Sequence, residues 1–142
     1  MTTIRTSLTH PLRIAELPLL NGKIGITFCP GKKQKDSMSG CEWDRDIKED
    51  LKAIHDWKAS LVFGFPEQKE FNMLSVHNIQ KEFENARIPF IHIPFVDDTV
   101  PDLETTYMIN GILPVIESLL KSGKNVLIFC KGGLGRPGLV FA

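Results

Sequence analysis

The sequence has few cysteines, no excess of charge of either sign and no long uninterrupted apolar run. Its 17 lysines and arginines are balanced by 17 aspartates and glutamates, so no overall field attracts nucleic acid or an anionic membrane. The three cysteines, Cys29, Cys41 and Cys130, show no CxxC spacing and no nearby pair of histidines. This pattern argues against a disulfide framework and against a zinc site. We therefore expect no metal and no nucleic-acid partner.

Targeting signals are also missing from the sequence. No apolar segment reaches membrane-spanning length, and the first 20 residues lack a long apolar core followed by a small-residue cleavage site. We expect a cytoplasmic protein with no membrane partner. A chain of 142 residues with 42% hydrophobic content suits one domain over residues 1–142 and leaves no room for a second.

The hydrophobic pattern alternates between strand-like runs and helical periodicity, which predicts an α/β fold. Strands are predicted at 24–28, 61–65, 88–95 and 125–129, and helices at 41–60, 66–87 and 101–124. In the first helix Trp43 and Trp57 belong to one apolar stripe and are expected in the core. Pro114 is expected to kink or split the last helix. The run 125–129 is apolar throughout, as in a central parallel strand that is covered on both faces.

The residues that follow this last strand form the strongest candidate site. Ligands of parallel α/β sheets bind at the carboxyl ends of strands, where backbone N–H groups are unpaired. Gly132, Gly133 and Gly135 allow successive N–H groups to turn inward around an anion. Arg136 adds a planar clamp for phosphate, and Cys130 lies where inward N–H dipoles favour a thiolate. The spacing is Cys-x5-Arg.

The same segment is open to two other interpretations. Gly133, Gly135 and Gly138 also spell G-x-G-x-x-G after a strand, but a dinucleotide site needs a further helix, a strand and an acidic residue about 20 positions on. A structural interpretation is also open, because a lone cysteine that ends a buried strand is usually an inert small hydrophobe. The three glycines between Cys130 and Arg136 favour the phosphate site.

The segment "VLIFCKGGLGRPG" resembles the phosphate-binding loop of the protein tyrosine and dual-specificity phosphatases, whose pattern is His-Cys-x5-Arg-Ser/Thr. Its Cys-x-Gly-Gly-x-Gly-Arg filling is most similar to the kinase-associated phosphatase branch. The segment "HIPFVDDTVPD", residues 92–102, resembles the general-acid loop of that branch, and "TFCPGK", residues 27–32, resembles the loop after the first strand in bacterial members. The resemblance covers residues 10 to 142 and implies a mostly parallel sheet flanked by helices, with the family's C-terminal helices missing.

The resemblance also implies a mechanism. Cys130 would attack phosphorus to form a phosphocysteine, and Asp97 would protonate the leaving group and then activate water. Asp98 is the rival for that role. The phosphoryl oxygens would be bound by Lys131, Gly132, Gly133, Leu134, Gly135 and Arg136. The substrate would be a phosphorylated protein or a small phosphomonoester, and no cofactor is needed.

Two residues depart from the family pattern. Phe129 stands where the family has His, which removes a polar partner that orders the loop and favours the thiolate. An ordinary cysteine is about 3% ionised at pH 7, so the loss of all activation costs at most about thirtyfold in thiolate. Pro137 stands where a Ser or Thr hydroxyl assists departure of the thiolate, so we expect the second step to be slowed.

The short C-terminus is the third departure. Only residues 137–142 follow Arg136, which is too few for an independently ordered helix. We expect the sheet face around 61–65 and 126–129 to expose apolar surface. This predicts self-association, poor solubility or a fragment of a longer protein. A phosphate-binding pseudophosphatase or an inactive truncated product therefore stays open as the alternative. The basic stretch 31–35 is interpreted as solvated surface, with attraction of a phosphorylated or acidic substrate near the site as the alternative.

Overall fold

The computed structural model describes residues 3–35, 41–95 and 103–131. The strands are Thr3–Arg5 (β1), Ala15–Leu19 (β2), Gly22–Phe28 (β3), Lys33–Gln34 (β4), Cys41–Asp44 (β5), Ala59–Gly64 (β6), Phe90–His92 (β7) and Asn125–Cys130 (β8). The helices are Ile47–Asp56 (α1), Gln68–Met73 (α2), Ile79–Asn85 (α3) and Leu103–Lys121 (α4). The α/β fold predicted from the sequence is confirmed.

The main sheet has five strands in the order β2-β3-β8-β6-β7. Four of them are parallel, and only β2 at the edge runs antiparallel to its neighbour. The register pairs Phe28 with Cys130 and Gly64 with Phe129, so the carboxyl ends of β3, β8 and β6 lie at the same edge. The prediction that the run at 125–129 forms a central parallel strand is confirmed.

Helices cover both faces of this sheet. Val126, Ile128 and Cys130 pack in a core cluster with residues of α4, whereas Leu127 and Phe129 pack in a second cluster with α1, α2 and α3. This alternation follows from the pleat, which turns successive side chains of a strand to opposite faces. It places the side chain of Cys130 on the α4 face of the sheet.

The expected exposed sheet face is a wrong prediction. The side chains of residues 126–129 and 61–65 are all buried, because α4 covers one face of these strands and the three shorter helices cover the other. This removes the basis for self-association through the sheet face. Large apolar side chains are exposed instead on β2 and α4, namely Leu17, Leu19, Leu103, Tyr107, Met108, Leu113 and Val115.

Three helix predictions need correction. Residues 41–44 form strand β5, and α1 begins only at Ile47, because the carboxylate of Asp46 caps the helix by accepting bonds from the N–H groups of Lys48 and Glu49. Trp43 is therefore on a strand and, like Trp57, is only partly buried. Residues 66–87 contain two helices, separated at Ser75, which has a φ of 60°. Pro114 lies inside one continuous helix, so the predicted splitting is wrong, whereas the predicted kink stays a prediction.

The second sheet is small and consists of three strands that precede α1 in the chain. Its order is β1-β5-β4, with β1 parallel and β4 antiparallel to β5.

None of the helices in the described ranges has the length and apolar character required to cross a bilayer.

Candidate active site at the carboxyl edge of the sheet

Cys130 is the last residue of β8 and lies at the carboxyl edge where the sequence predicts the site. Cys130 is 3% exposed, and its thiol is not in a disulfide. Lys131 follows and is partly buried. Gly132, Gly133, Leu134, Gly135, Arg136 and Pro137 lie outside the described residues, so their predicted roles in the phosphate loop stay predictions.

Backbone hydrogen bonds bring the segment before Asp97 to this same edge. The N–H of Phe65 donates to the carbonyl of Phe129 at 3.0 Å, and the N–H of Phe95 donates to the carbonyl of Phe65 at 2.9 Å. Phe95, two residues before Asp97, is thus linked through one residue to the strand end that carries Cys130. Asp97 and Asp98 themselves lie outside the described residues.

Phe129, which stands where the family pattern has His, is fully buried in a cluster of aromatic rings. Its ring centroid lies 5.8 Å from that of Phe90, 6.1 Å from that of Phe83 and 6.3 Å from that of Phe71. Aromatic pairs at these distances stabilise a core beyond the area that they bury. The side chain therefore contributes to packing on the face opposite Cys130.

His92 is near this cluster and has a structural role. Its Nε2 makes a hydrogen bond with the carbonyl of Pro66, and its ring packs 5.0 Å from that of Phe71. These contacts fit a hydrogen-bonded histidine of the core better than a metal ligand. Among residues 3–35, 41–95 and 103–131 no group of three or more His, Cys, Asp or Glu could hold a metal ion.

The two described cysteine side chains differ in their surroundings. Cys29 directly follows β3 and is fully buried. Burial raises the pKa of the Cys29 thiol well above its ordinary value, and the charge of Lys32 offsets this only in part. Cys29 is thus a neutral thiol at physiological pH and is unreactive as a nucleophile. Of these two cysteines, Cys130 is therefore the better candidate for a nucleophile.

Lys32 does not match the interpretation that the sequence favours for its segment. It belongs to the basic stretch 31–35, for which solvated surface is the favoured interpretation, but Lys32 is only 6% exposed. Its Nζ donates to the carbonyl oxygen of Lys131 at 3.4 Å. The same Nζ lies 4.6 Å from the ring centroid of Phe28 and 4.2 Å from that of Trp43.

The segment around Lys32 is fixed by a buried ion pair. Asp50 on α1 accepts hydrogen bonds from Nε and Nη2 of Arg45, each at 2.9 Å, and from the N–H of Gly31 at 2.8 Å. Gly31 has a φ of 72°, and a Cβ there would lie 2.8 Å from the side chain of Ile47. A side chain at position 31 would therefore both strain the backbone and clash with α1.

Burial of the Lys32 ammonium group is costly for the fold. Burial lowers the pKa of Lys32 to about 8 from an ordinary value of 10.5, and Arg45 adds to the lowering. Between these two pH values the unfolded chain binds more protons than the folded one, so stability rises with pH there. Below pH 8 the folded protein carries the full cost of a buried charge.

We therefore expect Lys32→Met to raise the free energy of unfolding at pH 7. The gain should be about 1–2 kcal/mol, because loss of the cation–π contacts offsets part of the desolvation cost. The advantage should shrink as pH rises from 8 to 10.5, since the wild-type side chain then becomes neutral in the fold. Urea titrations of both proteins at pH 7 and pH 10 measure this. A Met variant that is less stable at pH 7 would contradict it.

Comparisons with known proteins agree with this architecture. The model of the family described as cyclin-dependent kinase inhibitor 3 (CDKN3) matches residues 7–142. Cyclin-dependent kinase inhibitor 3 of Rattus norvegicus is 29% identical over 136 residues, 93% of this chain and 60% of its own length. The Homo sapiens protein of the same name is 28% identical and is covered over 52% of its length. The chain thus spans between half and two thirds of the length of these relatives.

Solved structures share the fold. Kinase associated phosphatase (KAP), crystallised with serine in place of its catalytic-site cysteine, superposes with a TM-score of 0.77 and 25% identity over 92% of this chain and 70% of that one. The active form of Tk-PTP gives a TM-score of 0.58, also with 25% identity, over 87% of this chain and 67% of that one.

Proposed function

Because the chain belongs to the CDKN3 family, within the cysteine-dependent tyrosine and dual-specificity phosphatases, we propose that it is a protein phosphatase. The observation that carries the proposal is the position of Cys130, a buried thiol outside any disulfide at the carboxyl end of the central strand. The substrates are phosphotyrosine or phosphoserine and phosphothreonine in proteins, or small phosphomonoesters. A thiol nucleophile has to stay reduced, which fits a cytoplasmic protein.

The reaction proceeds in two displacements. The Cys130 thiolate attacks phosphorus and the P–O bond to the leaving group breaks, while Asp97 gives its proton to the departing oxygen. Water then attacks the phosphocysteine and loses its proton to Asp97, so that phosphate and the thiolate are released. Arg136 and the N–H groups of residues 131–136 hold the phosphoryl oxygens in both steps.

The direct test is hydrolysis of an aryl phosphate by the purified protein and its inhibition by vanadate, which imitates the five-coordinate phosphorus of the transition state. We expect turnover that vanadate suppresses. A protein that binds vanadate without any turnover would support the second candidate, a phosphate-binding pseudophosphatase. The buried, apolar Phe129 favours that alternative, because it supplies no polar partner for the loop.

The assignment of Asp97 can be tested against its neighbour. We expect Asp97→Asn to lower kcat for phenyl phosphate by about 10²-fold, as for loss of a general acid. The loss should be smaller for p-nitrophenyl phosphate, whose leaving group needs less protonation. Asp98→Asn is the matched control, with an expected effect below about threefold. The reverse ranking of the two variants would move the acid to Asp98.

A further inference from the structure

Lys32 is a buried cation with no salt-bridge partner among residues 3–35, 41–95 and 103–131. Within the described residues no carboxylate lies within ion-pair distance of its Nζ. The buried carboxylate of Asp50 pairs with Arg45 instead. A buried ammonium group is retained at a net cost unless a negative charge faces it. We therefore expect a negatively charged group to lie close to the Nζ of Lys32.

The contacts of Lys32 point to Cys130. The Nζ donates to the carbonyl of Lys131, the residue that directly follows the cysteine. Among the described residues, the titratable groups that act electrostatically on Lys32 are Cys29, Cys130, Arg45 and Lys131. Arg45 and Lys131 are cations and cannot supply a negative charge, and Cys29 stays protonated because it is fully buried. Cys130 is the described group that can supply the missing negative charge.

The aromatic rings fix the ammonium group in this place. Phe28 and Trp43 contact it from the main sheet and the small sheet respectively, and their own ring centroids are 5.3 Å apart. The backbone on either side is tied down as well, because the N–H of Arg45 donates to the carbonyl of Lys32 and the N–H of Lys33 donates to that of Leu74. The ammonium group of Lys32 is therefore held at the carboxyl edge of the sheet, in contact with the residue that follows Cys130.

We propose that Lys32 is a positioning residue of the active site, which holds the backbone at Lys131 and stabilises the thiolate of Cys130. It compensates for Phe129, which stands where a polar residue would otherwise support the nucleophile. The role deepens the proposed phosphatase function and rests on it. Its physical basis is separate, since a cation beside a thiolate raises the ionised fraction whether or not a substrate turns over.

The experiment is alkylation of the intact protein by iodoacetamide between pH 5.5 and pH 9, with each cysteine quantified by peptide mapping. At pH 7 we expect Lys32→Met to alkylate at Cys130 about tenfold more slowly than wild type, with the rate profile shifted to higher pH. Lys32→Arg should stay within about threefold of wild type, because it restores the charge. A merely structural lysine would not produce this charge-dependent pH profile.

Lys33→Met is the matched control. Lys33 is the next residue in the chain, but its ammonium group is half exposed and pairs with Asp44, so its loss should leave alkylation of Cys130 unchanged. Alkylation of Cys29 in the same digest reports whether a variant has opened, since this thiol is fully buried in the fold. If Lys32→Met opens, Lys32→Gln provides the second neutral side chain for the same comparison.

The outcomes separate the two proposals. Equal alkylation of Cys130 in wild type and in a folded Lys32→Met or Lys32→Gln variant overturns the role of Lys32, whatever the phosphatase activity. A slowed alkylation without hydrolysis of aryl phosphate in any variant supports the role of Lys32 and contradicts the phosphatase proposal.

Discussion

Replacing Cys130 by serine is expected to lower the hydrolysis of an aryl phosphate by at least about 10³-fold. A serine hydroxyl stays protonated at neutral pH and is a poor nucleophile without an adjacent base, whereas a thiol ionises in the physiological range. The side chain keeps nearly the same shape, so the buried position at the end of β8 should accept it. The measurement is the vanadate-sensitive rate at pH 6–7 for both proteins.

Cys29→Ser is the matched control for this substitution. It makes the same atomic change in a thiol that is buried beside the neighbouring strand β3, and the pKa of Cys29, raised by burial, keeps it neutral. We expect this variant to retain hydrolysis, at some cost in stability. Equal rates for wild type and Cys130→Ser would eliminate Cys130 as the nucleophile, and loss of activity in both serine variants would point to a general disturbance of the sheet.

The sequence predicts the central strand correctly because its signal is local. Residues 125–129 are apolar without interruption, and such a run is buried on both faces wherever it forms a strand. The position of Cys130 follows directly, since it is the next residue. The first helix shows how a local signal misleads. Trp43 lies at helical spacing from Ile47, but the Asp46 cap excludes it from α1 and leaves it on strand β5.

The burial of Lys32 could not be predicted from a local sequence signal in the same way. A lysine in a stretch of basic and polar residues is usually solvated, and Lys33 and Lys35 are indeed exposed. Burial of Lys32 depends on Trp43 in the small sheet and on Lys131, which is 99 residues away in the chain. No spacing rule connects these positions, so only the tertiary structure reveals a buried cation next to the residue that follows Cys130.

The buried ion pair between Arg45 and Asp50 gives the largest expected effect on stability. Asp50 is 1% exposed and accepts hydrogen bonds from Arg45, from the N–H of Gly31 and from the hydroxyl of Ser7. Arg45 has no exposed surface. We expect Asp50→Ala to lower the free energy of unfolding by about 3–5 kcal/mol, because it leaves an uncompensated guanidinium group and an unpaired N–H in the interior.

Glu49→Ala is the control for this change, since Glu49 is the preceding residue in the same first turn of α1 but is exposed. Its loss removes only a favourable interaction with the helix dipole and should cost less than about 1 kcal/mol. Urea unfolding followed by tryptophan fluorescence measures both variants. Because Asp50 also anchors Gly31, a folded Asp50→Ala protein should show slower alkylation of Cys130 as Lys32 loses its support. A variant within about 1 kcal/mol of wild type would mean that water reaches Arg45 and that the pair is not buried in solution.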